Sequence, residues 1–238
     1  MTPNELDSQP NIDPRAAEGL SIRQGNPTRR RLISGAAGGL GVLLAVQAKT
    51  ALGQQVCQSP SAMMSGNTSP RPETPPCSGG RSPGFWKQPQ HFSSWAVAGA
   101  TPPTFKPGVV VQTCVSGMQG LSLKDLKTPG TLASTALGGS VPGDPGIWAV
   151  LAFPNSFVDG MLVRHLCAAW LNAGYFPDYA ISRTQIQAMW AQLSTNGNYC
   201  PGNVTCTDPM TKDDVKAYIE GLYDFNADLT EPDLCKKK

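Results

Sequence analysis

Three segments in the second half of the chain combine a helix-start signature with apolar residues at helical spacing. In each, a serine or threonine is followed three residues later by an acidic residue or a glutamine, so the first side chain can accept a hydrogen bond from an unpaired amide of the first turn. Because apolar residues then recur every three or four positions, the segments predict amphipathic helices. The capping pairs are Ser156 with Asp159, Ser182 with Gln185, and Thr211 with Asp214.

These three predicted helices differ in how much apolar surface they carry. The first, over 156–172 with Gly174 as its stop, is apolar almost all round, so we expect it to be the central and most buried helix. The second is predicted over 182–197 and the third over 211–224. The fold class predicted from them is mainly α: a small helical domain with long Pro/Gly-rich loops and disulfides, preceded by a disordered leader and tether.

The region between residues 99 and 153 has weaker patterns. A valine-rich run predicts one short strand at 109–114, and the segments 121–126 and 131–137 each predict a helical turn or two. Gly-Gly and Pro-Gly pairs then interrupt the chain repeatedly, which is typical of a long structured loop.

Near the N-terminus the sequence TRRRLI resembles the twin-arginine (Tat) export motif of bacteria, with Arg29 and Arg30 followed after one position by Leu32. The apolar stretch that follows, 32–48, is short and diluted by four glycines, which is poor for a membrane-spanning helix. The resemblance implies a signal peptide over 1–53, export by the Tat translocase, and a final location in the periplasm, at the cell surface or in the medium. An uncleaved leader that anchors the chain in a membrane is the alternative.

Residues 54–80 are rich in proline, serine, threonine and glycine and have no regular apolar period, so they predict a flexible tether before a folded domain at 81–238.

The balance of basic and acidic residues differs between the predicted leader and the rest of the chain. Residues 1–53 hold six basic and four acidic residues, whereas residues 54–238 hold thirteen of each. A neutral domain lacks the basic face that nucleic-acid binding requires, so we expect no nucleic-acid partner.

Seven cysteines suit an exported protein in an oxidising compartment. The most local pair is Cys200 and Cys206, in a Pro/Gly-containing loop between two predicted helices, and we expect these two to form a disulfide. The other pairings, and the identity of the odd cysteine, stay open. No spacing is C-x-x-C, so the sequence gives no sign of a dithiol redox centre, a zinc ribbon or a c-type haem site.

Catalytic motifs are absent from the sequence, which has no G-x-G-x-x-G, P-loop, G-x-S-x-G or H-E-x-x-H and only two histidines. His165 and Cys167 are two positions apart on a predicted helix and therefore do not share a face. We expect His165 to be a hydrogen-bonded histidine of the core or its edge rather than a ligand. The sequence thus leans against an enzyme without deciding the question.

A weak calcium pattern follows the third predicted helix. Asp224, Asn226 and Asp228 occupy positions 1, 3 and 5 of a helix-loop calcium site, whose alternate side chains converge on one cation. Leu229 stands where the glycine of such a loop belongs, and Cys235 where its bidentate glutamate belongs. The interpretation is either a plain polar helix terminus with no cofactor, or a calcium site.

The segment RSPGFWKQPQHFSSW, at 81–95, resembles the S-P-G-[FY]-W-K segment that opens the globular part of a group of poorly characterised exported bacterial proteins. The later run LCAAWLNAGYF resembles a helix of the same group, and the resemblance spans about 81–228. The chain departs from the pattern at Gln88 and Pro89, where asparagine and histidine are more common. This resemblance implies no particular activity.

Two interpretations of the aromatic segment remain open. Its rings belong to the core, or they form a surface for stacking a sugar or another polymer, with Phe85, Trp86, Lys87 and Trp95 as the binding residues. The functional hypothesis is an exported, non-enzymatic structural or interaction module of the cell envelope or extracellular space. Its partner would be an envelope protein, a polysaccharide or a second copy of the chain. The alternative is a cofactor- or metal-binding Tat substrate, an enzyme or carrier without a recognisable motif.

Overall fold

The computed structural model describes residues 79–114, 120–203 and 206–223, all of which fall in the same compact unit. The described residues form seven α-helices and four short strands, so about half of them are helical and little of this part is sheet, which bears out the predicted mainly α class in part. The helices are α1 (Pro83–Trp86), α2 (Phe92–Val97), α3 (Ala133–Leu137), α4 (Ile147–Ala152), α5 (Gly160–Tyr175), α6 (Arg183–Asn196) and α7 (Lys212–Glu220).

The strands form two separate antiparallel pairs. In the first, Thr104 lies opposite Thr128, and in the second, Asn198 lies opposite Thr211. Short 3₁₀ turns connect several elements. The strands are β1 (Thr104–Phe105), β2 (Leu126–Thr128), β3 (Asn198–Tyr199) and β4 (Met210–Thr211), and the 3₁₀ turns are Pro89–His91, Leu123–Asp125, Pro154–Ser156 and Pro201–Asn203.

Helix α5 is the centre of the core. Eleven of its sixteen residues are buried, and each of the six other described α-helices contacts it. A helix with apolar side chains on nearly every face is stable only when it is surrounded in this way. The expectation of one central helix is therefore confirmed.

The predicted bounds of this central helix are wrong at both ends. Ser156 does not cap it, because Ser156 is the last residue of a 3₁₀ turn, and α5 begins only at Gly160, where a Cβ would collide with the carbonyl oxygen of Pro154. Gly174 does not stop it either. Its missing side chain leaves room for the Arg183 guanidinium and the Ala98 carbonyl, and α5 continues to Tyr175.

Helices α6 and α7 begin as predicted. Ser182 Oγ accepts a hydrogen bond from the Gln185 amide, and the Gln185 side chain accepts one from the Ser182 amide in return. Thr211 and Asp214 form the same reciprocal pair at α7. Gly197 ends α6 in a left-handed conformation with φ at 75°, which glycine adopts without strain.

Arg183, the first residue of α6, fixes that helix to α5. Its guanidinium lies 3.6 Å from the centre of the Trp170 ring, and it donates hydrogen bonds to the carbonyl oxygens of Trp170 and Ala98. A planar guanidinium stacks on an indole and still reaches two acceptors, so one side chain joins α2, α5 and α6.

The predicted strand at 109–114 is wrong, because residues 109–113 form no strand and Cys114 has a positive φ of 61°. Val110 is 76% exposed, whereas Val109 and Val111 are partly buried against the core. The pairing occurs just upstream instead, where the Thr104 and Thr128 hydroxyl oxygens lie 2.7 Å apart across β1 and β2. The helical turns predicted at 121–126 and 131–137 are present as a 3₁₀ turn and α3.

Candidate functional site

His165 lies on α5 with both ring nitrogens in contact with polar partners. Its Nδ1 is 2.7 Å from the Tyr223 hydroxyl oxygen, and its Nε2 is 3.3 Å from a carboxylate oxygen of Glu220. The imidazole is buried, whereas the Glu220 side chain is about half exposed. The expectation of a hydrogen-bonded core histidine is confirmed.

These two partners assign the proton on the His165 ring. A carboxylate only accepts hydrogen bonds, so Nε2 carries the hydrogen and donates to Glu220, and Nδ1 accepts from the Tyr223 hydroxyl. Burial, together with the positive charges of Arg164 and Lys216, lowers the pKa of His165 from 6.5 to about 4. The ring is therefore neutral at neutral pH, and its contact with Glu220 is a hydrogen bond rather than an ion pair.

Tyr223 completes this group. Burial raises the pKa of its hydroxyl above the ordinary value, as do Tyr179 and Glu220, while Arg164 acts in the opposite direction. The hydroxyl thus keeps its proton and remains a donor to His165. The backbone next to Tyr223 also pairs with the chain near its first described residue, since the Gly80 amide donates to the Leu222 carbonyl at 3.0 Å.

Asn172, about two turns further along α5 than His165, holds the segment that precedes α1. Its side-chain oxygen accepts from the Arg81 amide at 2.9 Å and from the Trp86 indole at 2.8 Å, and its side-chain nitrogen donates to the Arg81 carbonyl at 3.0 Å. Gly80 packs so closely on this amide that a Cβ there would collide with it. Asn172 is fully buried, and these bonds satisfy its polar atoms.

The interpretation of the aromatic segment as a stacking surface requires a correction. Trp86 and Trp95 are fully buried, and their indole N–H groups donate inward to Asn172 and to the Trp86 carbonyl. Neither ring presents a face on which a sugar could stack, so both belong to the core. Phe85 and Lys87 are only partly buried. The Phe85 ring stacks on His91 with 3.7 Å between ring centres.

Lys87 and Arg164 are two positively charged residues whose charges act on each other. The Lys87 carbonyl, at the end of α1, accepts a hydrogen bond of 2.9 Å from the Trp148 indole, which fixes the backbone there. Burial lowers the pKa of the Lys87 ammonium, and the charge of Arg164 on α5 lowers it further. This juxtaposition follows from the contact between α1 and α5.

The described cysteines offer no reactive thiol. Cys200 and Cys206 form the predicted disulfide, with an S–S distance of 2.00 Å, and Cys114 is also disulfide-bonded. Cys167 is free but fully buried, and burial raises the pKa of its thiol to about 12. It therefore stays protonated at neutral pH, in a form that is neither a good nucleophile nor a metal ligand.

Several predicted site residues lie outside the described part of the chain. These are the export residues Arg29, Arg30 and Leu32 and the calcium candidates Asp224, Asn226 and Asp228. Within the described ranges, no cluster of three or more His, Cys, Asp or Glu side chains is arranged to hold a metal ion. Likewise, none of the described helices has the length and hydropathy to cross a bilayer.

The described residues thus define a small, largely helical body that contains disulfides and is held together by buried polar contacts on one central helix. No protein-family model, curated protein or solved structure matches the chain. The resemblance of the 81–95 segment to exported bacterial proteins therefore stays a prediction.

Sequence reasoning missed the roles of Asn172 and Tyr223. Asn172 gave a usable signal, because an amide in the middle of an apolar helix must find partners if it is buried. Tyr223 gave none. It lies 58 positions from His165 in the sequence, and only the packing of α7 on α5 brings the two together.

Proposed function

We propose that the chain is an exported, non-enzymatic structural or interaction module of the bacterial cell envelope or extracellular space. The observation that carries the proposal is that, among the described residues, a histidine and a cysteine on α5 serve as structural groups. His165 is neutral and bonded on both nitrogens, and Cys167 is a buried, protonated thiol. Catalysis requires such groups to be accessible and to titrate near the working pH.

The proposed architecture is a Tat signal peptide over 1–53, a flexible tether over 54–80 and the folded body over 81–238. The Tat translocase is the partner for export through Arg29, Arg30 and Leu32. Disulfides at Cys200–Cys206 and at Cys114 suit an oxidising compartment and so support this proposal.

Export by this route also requires the body to fold while its thiols are still reduced. The described core meets that requirement in part, because it is built around α5 by apolar packing and by Asn172. The Cys200–Cys206 bridge joins residues only six positions apart in a connection between β3 and β4. A bridge of this kind stabilises one loop and does not create the core.

Cell fractionation followed by mass spectrometry tests the proposal. The full chain is expressed in a bacterium with a Tat system, together with Arg29→Lys/Arg30→Lys and a matched control, Arg15→Lys/Arg23→Lys. We expect the natural chain and the control outside the cytoplasm, shortened at the N-terminus, and the first variant retained inside. Export of all three forms alike would contradict the Tat assignment.

Native mass spectrometry of the exported protein separates the two functional alternatives. A native mass equal to the processed chain, or to a multiple of it, supports an interaction module. A native mass that exceeds the denatured, unreduced mass by a calcium ion or an organic group would overturn it. The cofactor- or metal-binding alternative would then take its place, with Asp224, Asn226 and Asp228 as the first residues to substitute.

A further inference from the structure

Lys87 and Arg164 are two positive charges that the described residues leave without a carboxylate partner. The ion pairs within the described ranges join Lys212 to Asp159 and Lys216 to Asp213. Neither Lys87 nor Arg164 takes part in them. The charge of Arg164 acts on the Lys87 ammonium, and two like charges that interact at a partly buried place destabilise the fold unless a negative group lies near them.

The protein holds this pair rigidly. Lys87 follows α1, with its amide bonded to the Pro83 carbonyl at 3.2 Å and its carbonyl bonded to the Trp148 indole at 2.9 Å. Arg164 belongs to α5, the central helix, against which α1 packs. Neither backbone position can move away to relieve the repulsion without breaking core contacts.

Arg164 also has an orphaned donor. Its Nε is buried and has no hydrogen-bond partner. A buried guanidinium nitrogen without an acceptor is uncommon in folded proteins and calls for a specific explanation. An oxygen bound at that nitrogen would satisfy the donor and neutralise the charge at the same time.

We propose that Lys87 and Arg164 together bind an anionic oxygen group, a carboxylate or a phosphate, where α1 meets α5. The planar guanidinium matches both groups geometrically, and the ammonium adds a second charge beside it. This inference rests on the proposed interaction module, for which it names the chemistry of the partner.

The anionic group comes from one of two sources. Either a separate molecule supplies it, or the carboxylates of this chain after Tyr223 do. Tyr223 contacts His165, the neighbour of Arg164, and the sequence that follows it contains four acidic residues. These are Asp224, Asp228, Glu231 and Asp233.

Titration of the purified full chain with inorganic phosphate, and separately with succinate, tests the site at constant ionic strength. The indole N–H of Trp148 reports on it by ¹⁵N NMR, because this group is bonded to the Lys87 carbonyl. The indole of Trp190, which donates to the Ser140 carbonyl, serves as an internal reference. We expect a saturable shift of the Trp148 signal and a constant Trp190 signal.

Three single variants check that the shift reports this pair. Lys87→Gln and Arg164→Gln should each weaken binding by about tenfold, since each removes one charge-assisted contact. Lys127→Gln removes the same charge from an exposed position and should change nothing. Dispersed indole signals in each variant confirm that it is folded. Equal affinities in all three variants would overturn the proposal.

A fourth variant identifies the source of the anion. It carries Asp224→Asn, Asp228→Asn, Glu231→Gln and Asp233→Asn together. Phosphate binding that is about tenfold tighter in this variant would support the site and assign its occupant to the chain's own carboxylates. Unchanged binding would support a site for a separate molecule. The absence of a saturable shift both here and in the natural chain would overturn the site, whatever the outcome of the export experiment.

Discussion

Asn172 and His165 are the two polar side chains buried on α5, and each attaches a different part of the chain to that helix. Asn172 binds the backbone of Arg81 and the indole of Trp86, all of them neutral groups inside the core. His165 binds Tyr223 and a carboxylate that is half open to solvent.

The difference between these two anchors is one of chemistry rather than of position. An amide has the same hydrogen-bonding capacity at every pH, whereas an imidazole changes its charge and its donors when it takes up a proton. We therefore expect the N-terminal anchor at Asn172 to be strong and independent of pH. The anchor at His165 should weaken in acid.

Substitution of Asn172 should have the largest effect. Asn172→Ala leaves the Arg81 amide, the Arg81 carbonyl and the Trp86 indole buried without partners, and we expect it to lower the free energy of unfolding by about 3 kcal/mol. Urea denaturation followed by tryptophan fluorescence measures the change. Asn155→Ala, at an exposed asparagine, is the matched control and should cost less than about 0.5 kcal/mol. Similar losses in both variants would show that Asn172 is no anchor.

Contacts between near neighbours decide where some of the helices begin, and packing between distant residues decides where others begin. The starts of α6 and α7 were predictable, because Ser182 with Gln185 and Thr211 with Asp214 satisfy their own first turns within four residues. The start of α5 was not, because a 3₁₀ turn uses Ser156 and the packing of Gly160 on Pro154 decides where the helix begins.

The same distinction between local and long-range contacts holds for the candidate site. The sequence indicated a hydrogen-bonded His165 and the local Cys200–Cys206 bridge, since both follow from residue type and near neighbours. It did not predict the contact of His165 with Tyr223 or the approach of Lys87 to Arg164. Both require α1 and α7 to pack on α5, and nothing in a local pattern encodes that arrangement.

Acid should have the second largest effect, and of the two anchors only His165 should respond to it. The pKa of His165 is lowered from 6.5 to about 4 in the folded chain, so between these values the unfolded chain binds more protons. Stability contributed by the neutral ring is therefore full above pH 6.5 and is lost as the pH falls towards 4. We expect this loss to be about 2 kcal/mol, which is less than the whole pKa difference implies because the Glu220 side is open to solvent.

Carboxyl groups elsewhere in the chain also titrate in acid. The contribution of His165 is therefore measured by comparing the pH dependence of the unfolding free energy between variants. Unfolding by urea at pH 7 and pH 4.5 is compared for the natural chain, His165→Gln and Asn172→Ala. Glutamine keeps a donor and an acceptor but does not titrate. The pH dependence should become smaller in His165→Gln and stay unchanged in Asn172→Ala. The same slope in all three proteins would rule out His165 as the acid-sensitive anchor.

Removal of the Tyr223 hydroxyl should have a smaller effect. Tyr223→Phe leaves His165 Nδ1 without its donor and retains the stacked ring, whose centre is 5.8 Å from that of His165. We expect a loss of about 1 kcal/mol in the free energy of unfolding. Tyr199→Phe is the control, since its hydroxyl makes no hydrogen bond within the described residues. A larger loss in the control than in Tyr223→Phe would contradict the assigned donor.

The smallest effect concerns the charges around the ring. Lys216 on α7 lowers the pKa of His165, so Lys216→Gln should raise it, and by only about 0.3 because the charge of Lys216 is partly exposed to water. Asp213 lies 3.7 Å from the Lys216 ammonium, and Asp213→Asn should shift the pKa in the opposite direction by removing a negative charge from that neighbourhood. NMR titration of the His165 ring protons measures both. A shift in the same direction for both variants would mean that changes in packing, and not these charges, set the acid sensitivity that separates His165 from Asn172.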